Sequence, residues 1–274
     1  MPDPPRPGPD RPEPASQAFP ARLEHFGAVD STQSVVAGWL DAGVPEVCIA
    51  VAEEQRAGRG RHGRTWISPR GAGLLLSCGF RPAYLAPRHG WRLGATVALA
   101  MLDAAEEVAG LREAALGLKW PNDLVAEAPD GSLRKLGGVL GGTATLGARL
   151  ATVVIGIGVN VEWATQDFPP ELADTMTSLS ALGGGRPVDR EALLAGFLGR
   201  LEPRLEALRS GRFDAAGWTT RQRTTDRLVR VQVGRRAIDG TGDGVHPETG
   251  ALLLRTADGV LSIDAGEVIR CRTA

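Results

Sequence analysis

The residues with the most chemical content fall into three short stretches. The first is GRGRHGR, residues 58–64, preceded by Arg56. It holds four arginines, Arg56, Arg59, Arg61 and Arg64, with no acid among them, on glycines that let backbone amides approach an anion closely. The loop formally contains GxGxxG, yet the residues that follow, Arg64-Thr65-Trp66-Ile67-Ser68-Pro69, cannot open the helix on which a dinucleotide pyrophosphate rests. No GxxxxGK[ST] occurs elsewhere. The loop reads either as a local anion trap or as an RGG-like RNA contact. Aromatic residues for base stacking are sparse around it, which favours the trap.

The second and third stretches each carry a lysine. Lys119 ends a short apolar run and is followed by Trp120-Pro121-Asn122-Asp123. Lys135 opens KLGGVLGG, where Gly137 and Gly138 remove side chains beside it, as close approach of a ligand would require. Either lysine alone could equally be a solvated strand end, and Asn160, the lone polar residue closing VVIGIGVN, could equally be a turn residue. Together these groups suggest a glycine-lined pocket with several arginines, two lysines, and Asn122 with Asp123 to hold a cation. That inventory suits a polyphosphate and a second anion. Two unit charges of like sign about 4 Å apart repel by roughly 4 kcal/mol at an effective dielectric of about 20, so cationic side chains must offset them. The four histidines, His25, His62, His89 and His246, form no i, i+4 pair, and no GxSxG or nucleophilic cysteine signature is present. An ionised carboxylate attacking a phosphate needs no base for its first step.

The elements that must position these groups form a mixed pattern. Ser31 or Thr32 caps a helix whose Val35, Val36, Trp39 and Leu40 share a face until Gly43 and Pro45. Buried strands are expected at 47–52 and 73–80, flanking the arginine loop, and amphipathic helices at 91–108 and 190–209. Three further strands are expected at 117–120, 135–140 and 151–161. Strands do not alternate strictly with helices, so the fold class is α+β: a mixed sheet backed by helices. Beyond Arg227 short strands broken by glycine turns describe a small β-barrel, so the chain divides into a catalytic unit, 21–226, and a C-terminal barrel, 227–274. Residues 1–20 hold eight of the nineteen prolines and read as a disordered tail.

Composition narrows the class further. The 31 basic and 32 acidic residues nearly cancel, so no global pull towards nucleic acid or a membrane surface exists. No apolar run is long enough to span a bilayer and no secretory signal opens the chain, so the cytoplasm is the expected compartment. Three widely spaced cysteines, Cys48, Cys78 and Cys271, argue against a disulfide framework.

The sequence resembles the biotin protein ligases through DSTQS (30–34), EEQRAGRGRHGRTWISP (53–69), LKWPNDLV (118–125), KLGGVLGG (135–142) and VVIGIGVNV (153–161), in that family's order. The likeness covers residues 22–270. It implies a class II synthetase-like core with an SH3-like C-terminal barrel, biotin and ATP as substrates with Mg2+, a biotinyl-5′-AMP intermediate, and a biotin carboxyl carrier protein as acceptor. By motif, it implies that Ser31, Thr32, Gln33 and Gln55 hold biotin, with Gly58, Gly138 and Gly156 lining its pocket. Arg59 and Arg61 would close over carboxylate and phosphate; Arg64, Trp66, Asn122, Asp123 and Asn160 would face the nucleotide, Asp123 and Asn160 holding the metal. Lys135, Arg61 and Lys119 would be catalytic. The family usually has asparagine where Gln33 stands. Only about twenty proline-rich residues precede the core, so a DNA-binding domain is not expected. The nearest alternative of the same fold, a lipoate or octanoate ligase or transferase, typically carries an RRxxGGG-like motif, which is not found here.

Overall fold

Seven strands build the larger sheet in a computed structural model that describes residues 19–147 and 149–273. Of the expected N-terminal tail only Phe19 and Pro20 are among them; its other residues lie outside. The strands are β1 (Arg22–Phe26), β2 (Cys48–Ala52), β3 (Gly73–Phe80), β4 (Leu116–Lys119), β5 (Asp123–Glu127), β6 (Leu133–Leu146) and β7 (Arg149–Asn160). Their order is β1-β2-β3-β7-β6-β5-β4; β1 and β2 run parallel and all other neighbours antiparallel. The expected mixed sheet is therefore present.

Burial on both faces explains the continuous apolar runs of β2 and β3. On one face, Ile49, Val51, Leu74, Leu76, Phe80, Ile155 and Ile157 join the main core with helices α2 (Trp91–Val108) and α4 (Arg190–Arg209). On the other, Cys48, Ala50 and Val154 pack under α1 (Thr32–Asp41) through Val36 and Leu40. A Cβ at Gly79 would stand 2.6 Å from Val36, so that glycine lets α1 lie flat on the sheet. Helices α2 and α4 have the bounds their periodicity predicts. Two short helices, α3 (Leu179–Leu182) and α5 (Ala215–Thr220), and strands β1 and β5 were not expected; each is too short, or too evenly mixed in polarity, to show a period.

The texture change at Arg227 marks the start of a second sheet. Strands β8 (Arg227–Val233), β9 (Arg236–Val245), β10 (Leu252–Thr256), β11 (Gly259–Ile263) and β12 (Glu267–Thr273) pair antiparallel in the order β11-β10-β9-β8-β12. This sheet shares its core with the first: Val229, Leu252 and Val268 belong to the same buried cluster as Leu116 and Met101. Trp120 Nε1 donates to Gly250 O at 3.1 Å, and Gly250, at φ +71°, lies so close to the Trp91 indole that a Cβ would stand 2.8 Å from it. No helix among the described residues is long and apolar enough to cross a membrane.

Candidate functional site

A cavity of about 580 Å³ opens on the sheet face that carries α1, between the arginine loop, β6–β7 and β12. Its volume lies within the range of small-molecule sites, about 300–1,000 Å³. The floor is glycine because alternation brings Gly138, Gly156 and Gly158 to one face, Gly138 opposite Gly158, and Gly156 between Leu140 and Ser77. Two flat side chains lie on that floor. A Cβ at Gly156 would stand 3.0 Å from the Gln33 side chain, and one at Gly158 would stand 2.7 Å from the Trp66 indole.

The inner end is a compact hydrogen-bond network. Gln55 Oε1 accepts from Thr32 N at 2.8 Å and from Thr32 Oγ1 at 3.1 Å, while Thr32 and Ser77 share a buried hydroxyl–hydroxyl bond of 2.8 Å. With its oxygen held, the Gln55 amide is left to present its N–H2. Gln33 Nε2 donates to Leu140 O at 2.8 Å, so its side chain crosses Gly156 to reach β6. Ser31 precedes α1 in the N-cap position, yet makes no side-chain cap bond, and its buried Oγ has no partner among the described residues. A buried hydroxyl left unpaired costs about 1–3 kcal/mol. A ligand with polar atoms at this point would satisfy it.

The middle of the cavity is built by a β-bulge. The β5–β6 register shifts between Leu124↔Gly137 and Val125↔Lys135, which gives β6 one extra residue and turns Lys135 onto the face that Asp123 shares. Lys135 Nζ lies 2.6 Å from Asp123 Oδ1, and Lys119 Nζ, from the residue paired with Asp123 across β4–β5, lies 3.8 Å from Oδ2. The backbone of Lys135 is fixed on its other side, donating to Thr175 O at 2.7 Å and accepting from Thr177 N at 2.9 Å. Its ammonium also lies 5.7 Å from the Trp66 ring centroid. Asn122 Nδ2 donates to Val139 O at 3.0 Å beside them.

At the outer end every cavity-lining arginine of the loop has a partner. Arg59 Nη2 donates to Ser34 Oγ at 2.9 Å, Arg61 Nη1 donates to Gly266 O at 3.0 Å, and Arg64 pairs with Glu267. Burial pulls the Arg61 guanidinium below its ordinary pKa, against the opposing pull of Glu267 and Asp123. The hydrogen bond from Arg64 holds the Glu267 carboxyl below the usual carboxylate range, and the same bond raises Arg64. Arg59, Arg61, Arg64, Lys119, Lys135, Arg270 and Arg272 outnumber the acids Asp123, Asp174 and Glu267 on these walls, so the cavity attracts anions.

Most residues singled out in the sequence converge here: Ser31, Thr32, Gln33, Gln55, Arg59, Arg61, Arg64, Trp66, Lys119, Asn122, Asp123, Lys135, Gly138 and Gly156 all line the cavity. Two do not. Gly58 is buried outside the lining, where a Cβ would stand 2.4 Å from Trp66 O, so it allows the loop to close back on itself. Asn160 shares the face of Gly156 and Gly158 but is fully buried, its Nδ2 donating to Thr177 O at 3.0 Å. Sequence reasoning missed Ser77, Gly158 and Glu267. Ser77 carried the same signal as Asn160, a lone hydroxyl in the apolar run GLLLSCGF.

The donor set does not form a cation site as it stands. The Asp123 carboxylate is occupied by two ammonium groups, Asn160 lies outside the cavity lining with its Oδ1 buried and without a partner among the described residues, and no cluster of three or more His, Cys, Asp or Glu suited to a metal occurs among the described residues.

Residues 26–160 match the biotin/lipoate A/B protein ligase family. The chain is 33% identical over 227 residues to the biotin–[acetyl-CoA-carboxylase] ligase of Mycobacterium tuberculosis, covering 82% of this chain and 79% of that protein. It is 31% identical over 248 residues to the bifunctional ligase/repressor BirA of Bacillus subtilis, covering 90% and 73%. Among solved structures, a biotin protein ligase from Aquifex aeolicus in complex with biotin and ATP is similar with a TM-score of 0.75 at 27% identity, covering 92% of this chain and 99% of that one.

Proposed function

The chain belongs to the biotin/lipoate A/B protein ligase family, and on that premise we propose that its cavity joins biotin to ATP as biotinyl-5′-AMP and then passes the biotinyl group to a lysine of a biotin carboxyl carrier protein. The observation that carries this reading is one cavity with two unlike ends, a neutral hydrogen-bonding cage at one and a cationic mouth at the other, with Lys135 between them. Biotin has the matching polarity: a polar urea ring, an apolar stem and a terminal carboxylate.

In this assignment Ser31, Thr32 and the Gln55 amide take the urea, and Gln33 closes the floor beside them. The carboxylate then points towards Lys135 and Arg61. One carboxylate oxygen attacks the α-phosphorus of ATP, a P–O bond forms, and the bond to the β-phosphate oxygen breaks as pyrophosphate leaves. Lys135, Arg61 and Lys119 offset the negative charge that gathers as the two anions meet; preorganised cations in a water-poor site act where charge develops. Asp123 contributes by fixing both ammonium groups. Arg59, Arg64, Trp66 and Asn122 are assigned to the nucleotide side. In the second step the uncharged amine of the carrier lysine attacks the acyl carbon and AMP leaves with the electron pair of the broken C–O bond. Closure by the arginine loop keeps water from competing as nucleophile. Magnesium suits the triphosphate, which offers it oxygens of its own. The protein residues named for it from sequence do not fit that role, for the reasons given above.

Lipoate and octanoate are disfavoured by the inner end. An apolar chain or dithiolane would bury the Ser31 hydroxyl and the Gln55 amide without partners. Exchange of labelled pyrophosphate into ATP tests the reading: it is expected with biotin and not with lipoate, octanoate or RNA. Exchange that proceeds without biotin, or that lipoate supports equally, overturns it.

A further inference from the structure

The transfer step of the proposed function requires a lysine to reach the acyl carbon inside the cavity, so the carrier must rest on whatever surrounds the mouth. The Arg64–Glu267 pair joins the arginine loop to β12, which makes the residues just beyond each partner one continuous rim. Ile67 stands three residues after Arg64 and Ile269 two after Glu267. At roughly 3.3 Å per extended residue both fall within about 10 Å of the pair. Both line the cavity, and they are 62% and 51% exposed.

The rim continues onto the C-terminal sheet. β12 is an edge strand paired with β8 alone, and its register shifts between Val268 and Arg270, so Ile269 sits at the irregularity with no cross-strand partner. Next along the strand, Arg270 and Arg272 are exposed, and among the described residues neither forms an ion pair. Arg270 shares a cross-strand row with the Arg230–Asp239 pair, which leaves that row net positive. Arg272 lies opposite Leu228, itself 51% exposed. Exposed apolar side chains gathered beside a cavity and flanked by unpaired arginines mark a docking surface.

We propose that Ile67, Ile269, Leu228, Arg270 and Arg272 receive the carrier protein, and that the carrier face around its target lysine is apolar at its centre and acidic at its edge. Continuity with the mouth of the reacting cavity commits this surface to the acyl acceptor. A second copy of this chain seated here would obstruct the mouth and block transfer.

The probe is a purified carrier domain of a biotin-dependent carboxylase, tested against the unaltered protein, Leu228→Asp, Ile269→Asp, and the double variant Arg270→Glu/Arg272→Glu. Biotin-dependent pyrophosphate exchange without carrier is expected to be unchanged in Leu228→Asp, which lies outside the cavity lining, and this also certifies folding. Because Ile269, Arg270 and Arg272 line the cavity, the carrier KM of their variants is compared with the exchange each retains. The KM for carrier is expected to rise about tenfold or more in each variant. Raising salt from about 50 to 500 mM should weaken carrier binding to the unaltered protein and leave the double variant nearly unmoved. An unchanged carrier KM with exchange intact overturns the docking surface alone. So does a variant that alters only self-association in sedimentation, or one that lowers exchange and transfer in parallel. Absence of biotin-dependent exchange in the unaltered protein overturns the functional reading first, and the docking surface with it.

Discussion

The two ends of the cavity solve the same problem, holding a small ligand, with different physics. At the inner end Thr32, Ser77 and Gln55 are locked by short neutral hydrogen bonds on top of a packed sheet, and Thr32 and Ser77 are buried. At the mouth Arg59, Arg61 and Arg64 reach from a loop to partners on α1, at Gly266 and on β12, and Arg64 is largely exposed. The inner end selects by geometry, because a ligand that misplaces a donor leaves buried groups unpaired. The mouth attracts by charge, which is long-ranged, forgiving in geometry and weakened by salt. Lys135 stands where the two regimes meet, fixed by backbone bonds and by Asp123, yet aimed at an anion.

That position predicts the largest effect. Lys135→Ala removes the cation closest to both ends and leaves Asp123 with only the more distant Lys119. Loss of a preorganised group facing developing charge typically lowers kcat about 10²–10³-fold, and that loss is expected in biotin-dependent exchange, with the KM for biotin changed far less. Equal loss in both constants would make Lys135 a simple binding residue and dissolve the distinction between the ends.

A change confined to the inner end should move biotin alone. Thr32→Val keeps shape but removes the hydroxyl that bonds Gln55 and Ser77, and a buried bond of that kind is worth about 1–2 kcal/mol. The KM for biotin is expected to rise about tenfold while the KM for ATP stays put, since about 1.4 kcal/mol is a factor of ten. A parallel rise for ATP would show that the two ends act as one. Gly158→Ala tests the mouth by shape. Its Cβ, 2.7 Å from the half-buried Trp66 indole, forces the ring to move at a cost of about 1 kcal/mol, the low end for overpacking. ATP should then bind a few-fold more weakly, with biotin unaffected.

The same contrast explains what the sequence disclosed. Long periodic or apolar segments carried their own signal, and β3, α2 and α4 appear with the expected bounds. Glycines beside Lys135, and arginines without acids, announced a place where backbone and cation meet a ligand. The bulge that aims Lys135 left no trace, because it is a property of the β5–β6 pairing and not of either strand. Glu267 was invisible for a related reason: it lies 203 residues from Arg64 at the start of an ordinary strand, and only the packing of the second sheet brings them together. Ser77 and Asn160 carried one identical signal and met opposite fates. Period two puts both on the same face and both are buried, but the segment that follows β7 joins Asn160 to Thr177 outside the cavity lining, while Ser77 bonds Thr32 within it.

The smallest expected effect concerns how firmly the mouth is held, and it depends on pH. Arg64 bonds Glu267 and holds its carboxyl below the ordinary 4.5, so the folded chain binds that proton less tightly than the unfolded one. The pair's contribution to stability is complete above about pH 4.5 and is lost as pH falls through the lower folded value. Because Arg64 is 59% exposed at its side chain, solvent screening limits that contribution to at most about 1 kcal/mol. Urea unfolding of Glu267→Gln beside the unaltered protein should show a gap of about 0.5 kcal/mol at pH 7 that closes as pH falls through the lowered carboxyl value. A gap of several kcal/mol at neutral pH, or one that persists in acid, would mean that the mouth is held as rigidly as the inner end, and the contrast between fixed geometry and displaceable charge would fail at the residue meant to embody it.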